Sequence, residues 1–211
     1  MKVEQRKWTQ FEGWSRPVDR EIAAKAQLVF VFGAKSRMRE GVLLDQIIRD
    51  YPSACFIGCS TAGEICDTQV SDETLVVNAV LFSDTRISMT QVALDTALDS
   101  QKAGNHLSEA LLHQWEPEAE WPLVHIFLLS DGLRVNGSAL VKGLTETLPP
   151  GILVTGGLAA DGSDFGETLV WTGGEPQSGL IAAVGFYGKQ LRIGCGSQGG
   201  WDPFGPERLI T

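Results

Sequence analysis

The chain has 211 residues, 43% of them hydrophobic, which is enough for one large domain or two small ones with a well-buried core. Its 26 acidic residues outnumber 17 basic ones, for a formal net charge of −9, and no run of Lys and Arg is longer than two. That excludes a phosphate-tracking nucleic-acid binder, which needs a positive field to displace counterions.

The N-terminal segment MKVEQRKWTQFEGW lacks the apolar stretch of a secretory signal. Its Trp8, Phe11 and Trp14 suit an edge strand or a packing arm. Pro17 and Asp19 mark a helix start ahead of Glu21–Gln27. Leu28–Phe32 is a continuous apolar run, as expected of a strand covered on both faces. Over 38–50, Met38, Val42, Leu43, Leu44 and Ile47 share one helical face, and Tyr51-Pro52 ends the helix. Cys55–Gly58 is a short strand that breaks into small residues. Leu75–Phe82 and Arg86–Leu94 are β-rich, and the polar Ser83-Asp84-Thr85 between them predicts a hairpin. These apolar runs are far shorter than the roughly 20 residues of a membrane-spanning helix. A cytoplasmic protein is expected, or the soluble part of a membrane receptor.

Thr96–Trp115 has helical periodicity through Leu98, Ala103, Leu107, Ala110 and Leu111, with Gly104 as a weak point. The acidic, proline-bounded segment Glu116–Pro122 is the one break in composition. After it come a strand at His125–Ser130, a helix at Gly137–Leu148 ended by Pro149-Pro150-Gly151, and a strand at Ile152–Gly157. Thr168–Thr172 and Leu180–Phe186 read as a second hairpin, and Leu191–Gly196 as a final strand. The order thus repeats, with half-repeats at about 28–95 and 123–198 of a single domain. The expected fold class is α/β: two related β-α-β-hairpin halves forming packed mixed sheets flanked by helices.

In each half the second strand runs into a glycine-opened loop: Gly58-Cys59-Ser60-Thr61-Ala62-Gly63-Glu64, then Gly156-Gly157-Leu158-Ala159-Ala160-Asp161-Gly162. Small residues let backbone approach a ligand, and successive N–H groups can hold an anion. Neither loop is a phosphate-binding fingerprint. Glu64, Asp67, Asp131, Asp161 and Asp164 lie in or near the loops. Carboxylates for an ammonium group and N–H donors for a carboxylate suit a zwitterion such as an amino acid. The competing reading is that these acids cap turns, Asp131 above all.

A hydrolase-like enzyme using Cys59 or Ser60 is a second reading, since both stand at a strand end. GCSTAG is not the G-x-S-x-G elbow, however, and a triad would need one of three histidines. His106 and His113 sit on a predicted amphipathic helix as surface or boundary residues, and His125 begins a buried strand. Haem held non-covalently through one of them is a third reading, because a single axial histidine leaves no signature. Cys55, Cys59, Cys66 and Cys195 contain no C-x-x-C pair, so free thiols are expected and no metal site.

With both loops written out, the chain resembles the N-terminal part of the FIST family of sensory domains in bacterial and archaeal signal transduction. Three motifs carry the resemblance: Gly58–Ile65, Gly156–Gly162 with Phe165, and Gly200-Trp201-Asp202-Pro203-Phe204-Gly205-Pro206. It implies a non-enzymatic sensor of a small ligand, amino acids being the general proposal. Some members resemble haem-based nitric-oxide sensors that regulate a histidine kinase or a cyclic-di-GMP enzyme. The ligand residues implied are Gly58, Cys59, Ser60, Thr61, Ala62, Gly63, Glu64, Gly156, Gly157, Ala160, Asp161, Gly162 and Phe165. The family's C-terminal domain is expected to be absent, since the sequence stops at Thr211.

Overall fold

Two parallel pairs of apolar strands, each bridged by a helix, organise the chain in the computed structural model, which describes residues 1–94, 99–114 and 121–196. The elements are β1 (Lys2–Thr9), β2 (Gly13–Trp14), α1 (Arg20–Lys25), β3 (Leu28–Ala34), α2 (Lys35–Met38), α3 (Gly41–Asp50), β4 (Cys55–Thr61), β5 (Glu64–Cys66), β6 (Gln69–Ser71), β7 (Leu75–Leu81), β8 (Arg86–Ala93), α4 (Ser100–Leu112), β9 (Leu123–Ser130), α5 (Gly137–Thr147), β10 (Leu153–Leu158), β11 (Val170–Trp171) and β12 (Leu180–Tyr187). The fold is mixed α/β, as expected.

One sheet has the order β11-β4-β3-β7-β1-β2 and the other β10-β9-β12-β8; β5 and β6 form a separate hairpin. The sheets pack face to face. Leu28, Ile57, Cys59, Val80 and Phe82 of the first meet Leu129, Ala182, Val184 and Phe186 of the second. The outer face of the first sheet buries Val29, Val31 and Val77 against Ile22, Met38, Leu44 and Ile47 of α1, α2 and α3. That of the second buries Ile126, Leu128 and Ile181 against Leu107, Leu111, Leu140 and Leu144 of α4 and α5. The result is helix, sheet, sheet, helix. It explains the unbroken apolar runs: in β3, Leu28 and Phe30 face the other sheet while Val29 and Val31 face helices.

The sheets correspond strand for strand. β4 and β3 are parallel, β7 is antiparallel to β3, and β1 is antiparallel to β7; β10, β9, β12 and β8 repeat the same order and directions. The correspondence reaches single residues. A Cβ on Gly58 would stand 2.3 Å from the Val31 carbonyl oxygen, and one on Gly156 would stand 1.8 Å from that of Leu128. Both glycines let a strand close on its parallel neighbour.

Both predicted hairpins fail for one reason: each pair of strands divides between the two sheets. β7 lies between β3 and β1, whereas β8 pairs with β12, so Ser83–Thr85 is a crossing between layers. Likewise β11 pairs with β4 of the first sheet, and β12 stays in the second. The helix predicted over 38–50 is broken at Arg39 and Glu40; Met38 is buried from α2, and Val42 is 78% exposed. Leu191–Gly196 forms no strand. Thr96, Leu98, Trp115 and the closing motif Gly200–Pro206 lie outside the described residues.

Gly104 is a contact rather than a defect. A Cβ there would lie 2.3 Å from the Leu140 carbonyl oxygen, and one on Gly143 would lie 2.0 Å from that of Gln101, so the bare backbones of α4 and α5 touch. At the other end, β1 is pinned by buried polar groups. Arg6 pairs with Asp50 at 2.7 Å, and Glu4 accepts from the Asp19 amide and the Tyr51 hydroxyl at 2.7 and 2.8 Å.

Candidate functional site

The parallel strands β3 and β4 point their carboxyl ends the same way, which is where open α/β sheets place ligands. Ala34, Lys35 and Ser36 follow from β3, and Thr61, Ala62, Gly63 and Glu64 from β4. Asp72 and Glu73 come from the turn after β6, and Asp161, Gly162 and Asp164 from the loop after β10. Together they enclose a cleft of about 260 Å³. The two small-residue loops, far apart in sequence, therefore meet across one cavity.

Ser60 holds them together. Its carbonyl accepts from the Ala160 amide at 2.8 Å, and its amide donates to the Leu169 carbonyl at 2.9 Å. Its hydroxyl accepts from the Leu169 amide at 2.9 Å. The first loop turns at Gly63, whose φ of 143° is a conformation L-residues rarely adopt. The second turns at Gly162, with φ of 71°.

Lys35 is the one cation among the described residues lining the cleft, 3.1 Å from Asp164 and 3.5 Å from Asp161. The hydrogen bond and charge of Asp164 hold its ammonium above the usual lysine range. Asp161 also gathers its own loop, accepting from the Gly166 and Glu167 amides at 2.8 and 2.9 Å. Those amides, the Glu167 bond foremost and Lys35 beside them, hold its carboxyl below the usual range. Glu64 is buried and fully engaged. It accepts from the Thr61 hydroxyl at 2.6 Å, and from the Thr74 amide and hydroxyl at 3.0 and 2.7 Å. Asp72, Glu73 and Asp164 are exposed at the rim.

Of the residues the sequence singles out, Thr61, Ala62, Gly63, Glu64, Asp161 and Gly162 line the cleft, with Asp164. Gly58, Cys59 and Ser60 do not, because β4 runs on to Thr61 and keeps them in the sheet. Gly156 and Gly157 belong to β10 and line a different cavity. Ala160 supplies the bond to Ser60 without lining the cleft, and Phe165 is 77% exposed beside it. Asp67 takes a left-handed turn conformation between β5 and β6. Asp131 is the turn residue expected of it, accepting from the Leu133, Arg134 and Gly179 amides at 2.7, 2.8 and 2.6 Å. Ala34, Lys35, Ser36, Asp72 and Glu73 also line the cleft and lie outside the two small-residue loops. A lysine directly after an apolar strand was the signal available.

Cys59 and Ser60 are poorly placed as nucleophiles. Both are buried, burial pushes the Cys59 thiol up to about 12, and the Ser60 hydroxyl is engaged with backbone. Haem does not fit the described histidines either. His106 is exposed on α4 and His113 at its C-terminal cap, and His125 lies between the sheets against Phe186, bonded to Thr155. None of the three lines the cleft. No group of His, Cys, Asp and Glu suited to a metal occurs among the described residues, and all four cysteines are free. No described helix is long and apolar enough to cross a membrane.

No curated protein matches the chain. The family model for the FIST N domain matches residues 27–211, which takes in every element lining the cleft, so the chain belongs to the FIST family of sensory domains associated with signal transduction.

Proposed function

We propose that this is a non-catalytic small-ligand sensor whose ligand occupies the cleft between Ala62–Glu64 and Asp161–Asp164. The observation that carries the reading is the meeting of both loops around Lys35. The ligand class is a zwitterion such as a free amino acid. Its carboxylate would pair with Lys35 and the amides of Ala62, Gly63 and Gly162, displacing Asp164; its ammonium would face Asp72, Glu73 and the released Asp164. Because the two loops come from different sheets, an occupant that touches both ties the layers together. That change in order is what a histidine kinase or a cyclic-di-GMP enzyme would read.

The test is thermal stabilisation by the common amino acids, followed by titration calorimetry on those that act. A ligand at about 100 times its Kd stabilises by about 2.7 kcal/mol, or roughly 5–10 °C for a chain of this size. Ala62→Trp, at an exposed turn position, should fold normally and lose the shift by filling the cleft. Lys35→Met should weaken binding by about tenfold or more, as expected for a bond to a charged group. An undiminished shift in both variants would remove this cleft from the function.

A further inference from the structure

A second cavity, of about 320 Å³, lies between β10 and α5, on the opposite face of the second sheet from the first. Its walls are Leu128, Leu140, Val154 and Leu158, and Gly137, the first residue of α5, lines it. Two residues with polar side chains line this apolar space, Thr155 and Ser130, and the Thr155 hydroxyl is already bonded to His125. Alternation along β9 puts Ser130 on the same face as Ile126 and Leu128, toward α5. Ser130 is 1% exposed, and its hydroxyl has no hydrogen-bond partner among the described residues. A buried polar group without a partner is costly, and such groups are rare in folded proteins.

A second set of donors lies at the same end. The first-turn amides of a helix have no partner within it. In α5 the Asn136 side chain takes the Ala139 amide at 3.0 Å, and the Asn136 amide itself goes to Ser100 Oγ at 2.9 Å. Among the described residues the Gly137 and Ser138 amides have no partner, and the helix dipole favours negative charge there. A side chain at Gly137 would fit sterically, its Cβ 3.7 Å from Leu158, so the space beside the helix start is open rather than closely packed.

We infer that this cavity is a second ligand site, for a short aliphatic carboxylate: the head group accepts from Ser130 Oγ and the first amides of α5, and the tail lies against Leu128, Leu140, Val154 and Leu158. Among the described residues no cationic side chain lines the cavity, which favours a weakly hydrated apolar acid over a polyanion. The volume is at the low end of the roughly 300–1,000 Å³ of small-molecule sites, in keeping with a short chain. Among the described residues the site and the cleft around Lys35 have no lining residue in common.

Titration calorimetry with butyrate, hexanoate and octanoate, against alkylamines of equal length, tests it. Affinity should rise about fourfold per methylene until the cavity fills, and the amines should bind at least tenfold more weakly. Ser130→Ala removes no side-chain hydrogen bond among the described residues, so it should fold as the parent does and lose about tenfold in carboxylate affinity. Leu158→Trp, at a half-exposed position, should block the tail and abolish binding. Absence of binding by all three acids overturns the inference, as does equal binding of the amines or indifference to Ser130→Ala. Ala62→Trp should leave this binding unchanged, which separates the result from that at the first cleft.

Discussion

Replacing Ser60 with alanine should lower stability without removing any chemistry. Ser60 and Leu169 are both fully buried, and Ser60 Oγ accepts from the Leu169 amide at 2.9 Å. The alanine variant keeps the two backbone bonds of Ser60, to Leu169 and Ala160, and strands one buried N–H. An unsatisfied buried donor costs about 1–3 kcal/mol. For a chain of this size each kcal/mol lowers Tm by roughly 2–4 °C, so a central value of about 2 kcal/mol predicts a fall of about 4–8 °C. Differential scanning calorimetry measures it, with Ser163→Ala, exposed in the neighbouring loop, as a control expected to stay within about 0.5 kcal/mol. A serine-directed fluorophosphonate should not label Ser60 in the folded protein. An unchanged Tm in Ser60→Ala would refute the structural role, and labelling abolished by that substitution would restore the nucleophile.

Other consequences follow from the same geometry. Gly58→Ala and Gly156→Ala place a Cβ 2.3 and 1.8 Å from a carbonyl oxygen of the adjacent strand, so each should cost well over the ~1 kcal/mol typical of point substitutions, seen as a large loss in urea midpoint. A disulfide reagent at about pH 8 should modify exposed Cys195 in the native protein and spare Cys59, whose thiol burial pushes up to about 12, until the chain unfolds. Burial opposes the charge of Asp131, but the amides of Gly179, Arg134 and Leu133 outweigh it and lower its pKa. A lowered carboxylate contributes stability that is present above its ordinary value of about 3.9 and lost as pH falls through the folded value. Asp131→Asn should therefore flatten the acid limb of the Tm–pH curve; an identical limb in both proteins would show that Asp131 has no part in it.

Local rules were enough for much of this molecule. Asp19 caps its helix with a side-chain oxygen, and the unbroken apolar run from Leu28 matches a strand covered on both faces; Asp99, inside the helix expected from Thr96, is instead the extended cap that starts it. Gly58 and Gly156 stood out in the sequence as loop openers. They are instead points where parallel strands touch, because a missing Cβ serves a close approach as well as a turn. The two hairpins were illegible for a similar reason. Strand periodicity records how a segment is buried, and β7 and β8 carry the same apolar signature whether they pair with each other or enter separate sheets.

Small-residue loops with carboxylates close by and no lysine-bearing phosphate motif, in a chain matched by a sensory family, are legible in the residues alone. Which of those residues share a cavity depends on how the sheets stack. Lys35 reaches Asp161 and Asp164 because two sheets of like topology stack face to face, bringing the carboxyl ends of β3 and β4 beside the loop after β10. Packing between layers sets that distance, and nothing local in the chain encodes it.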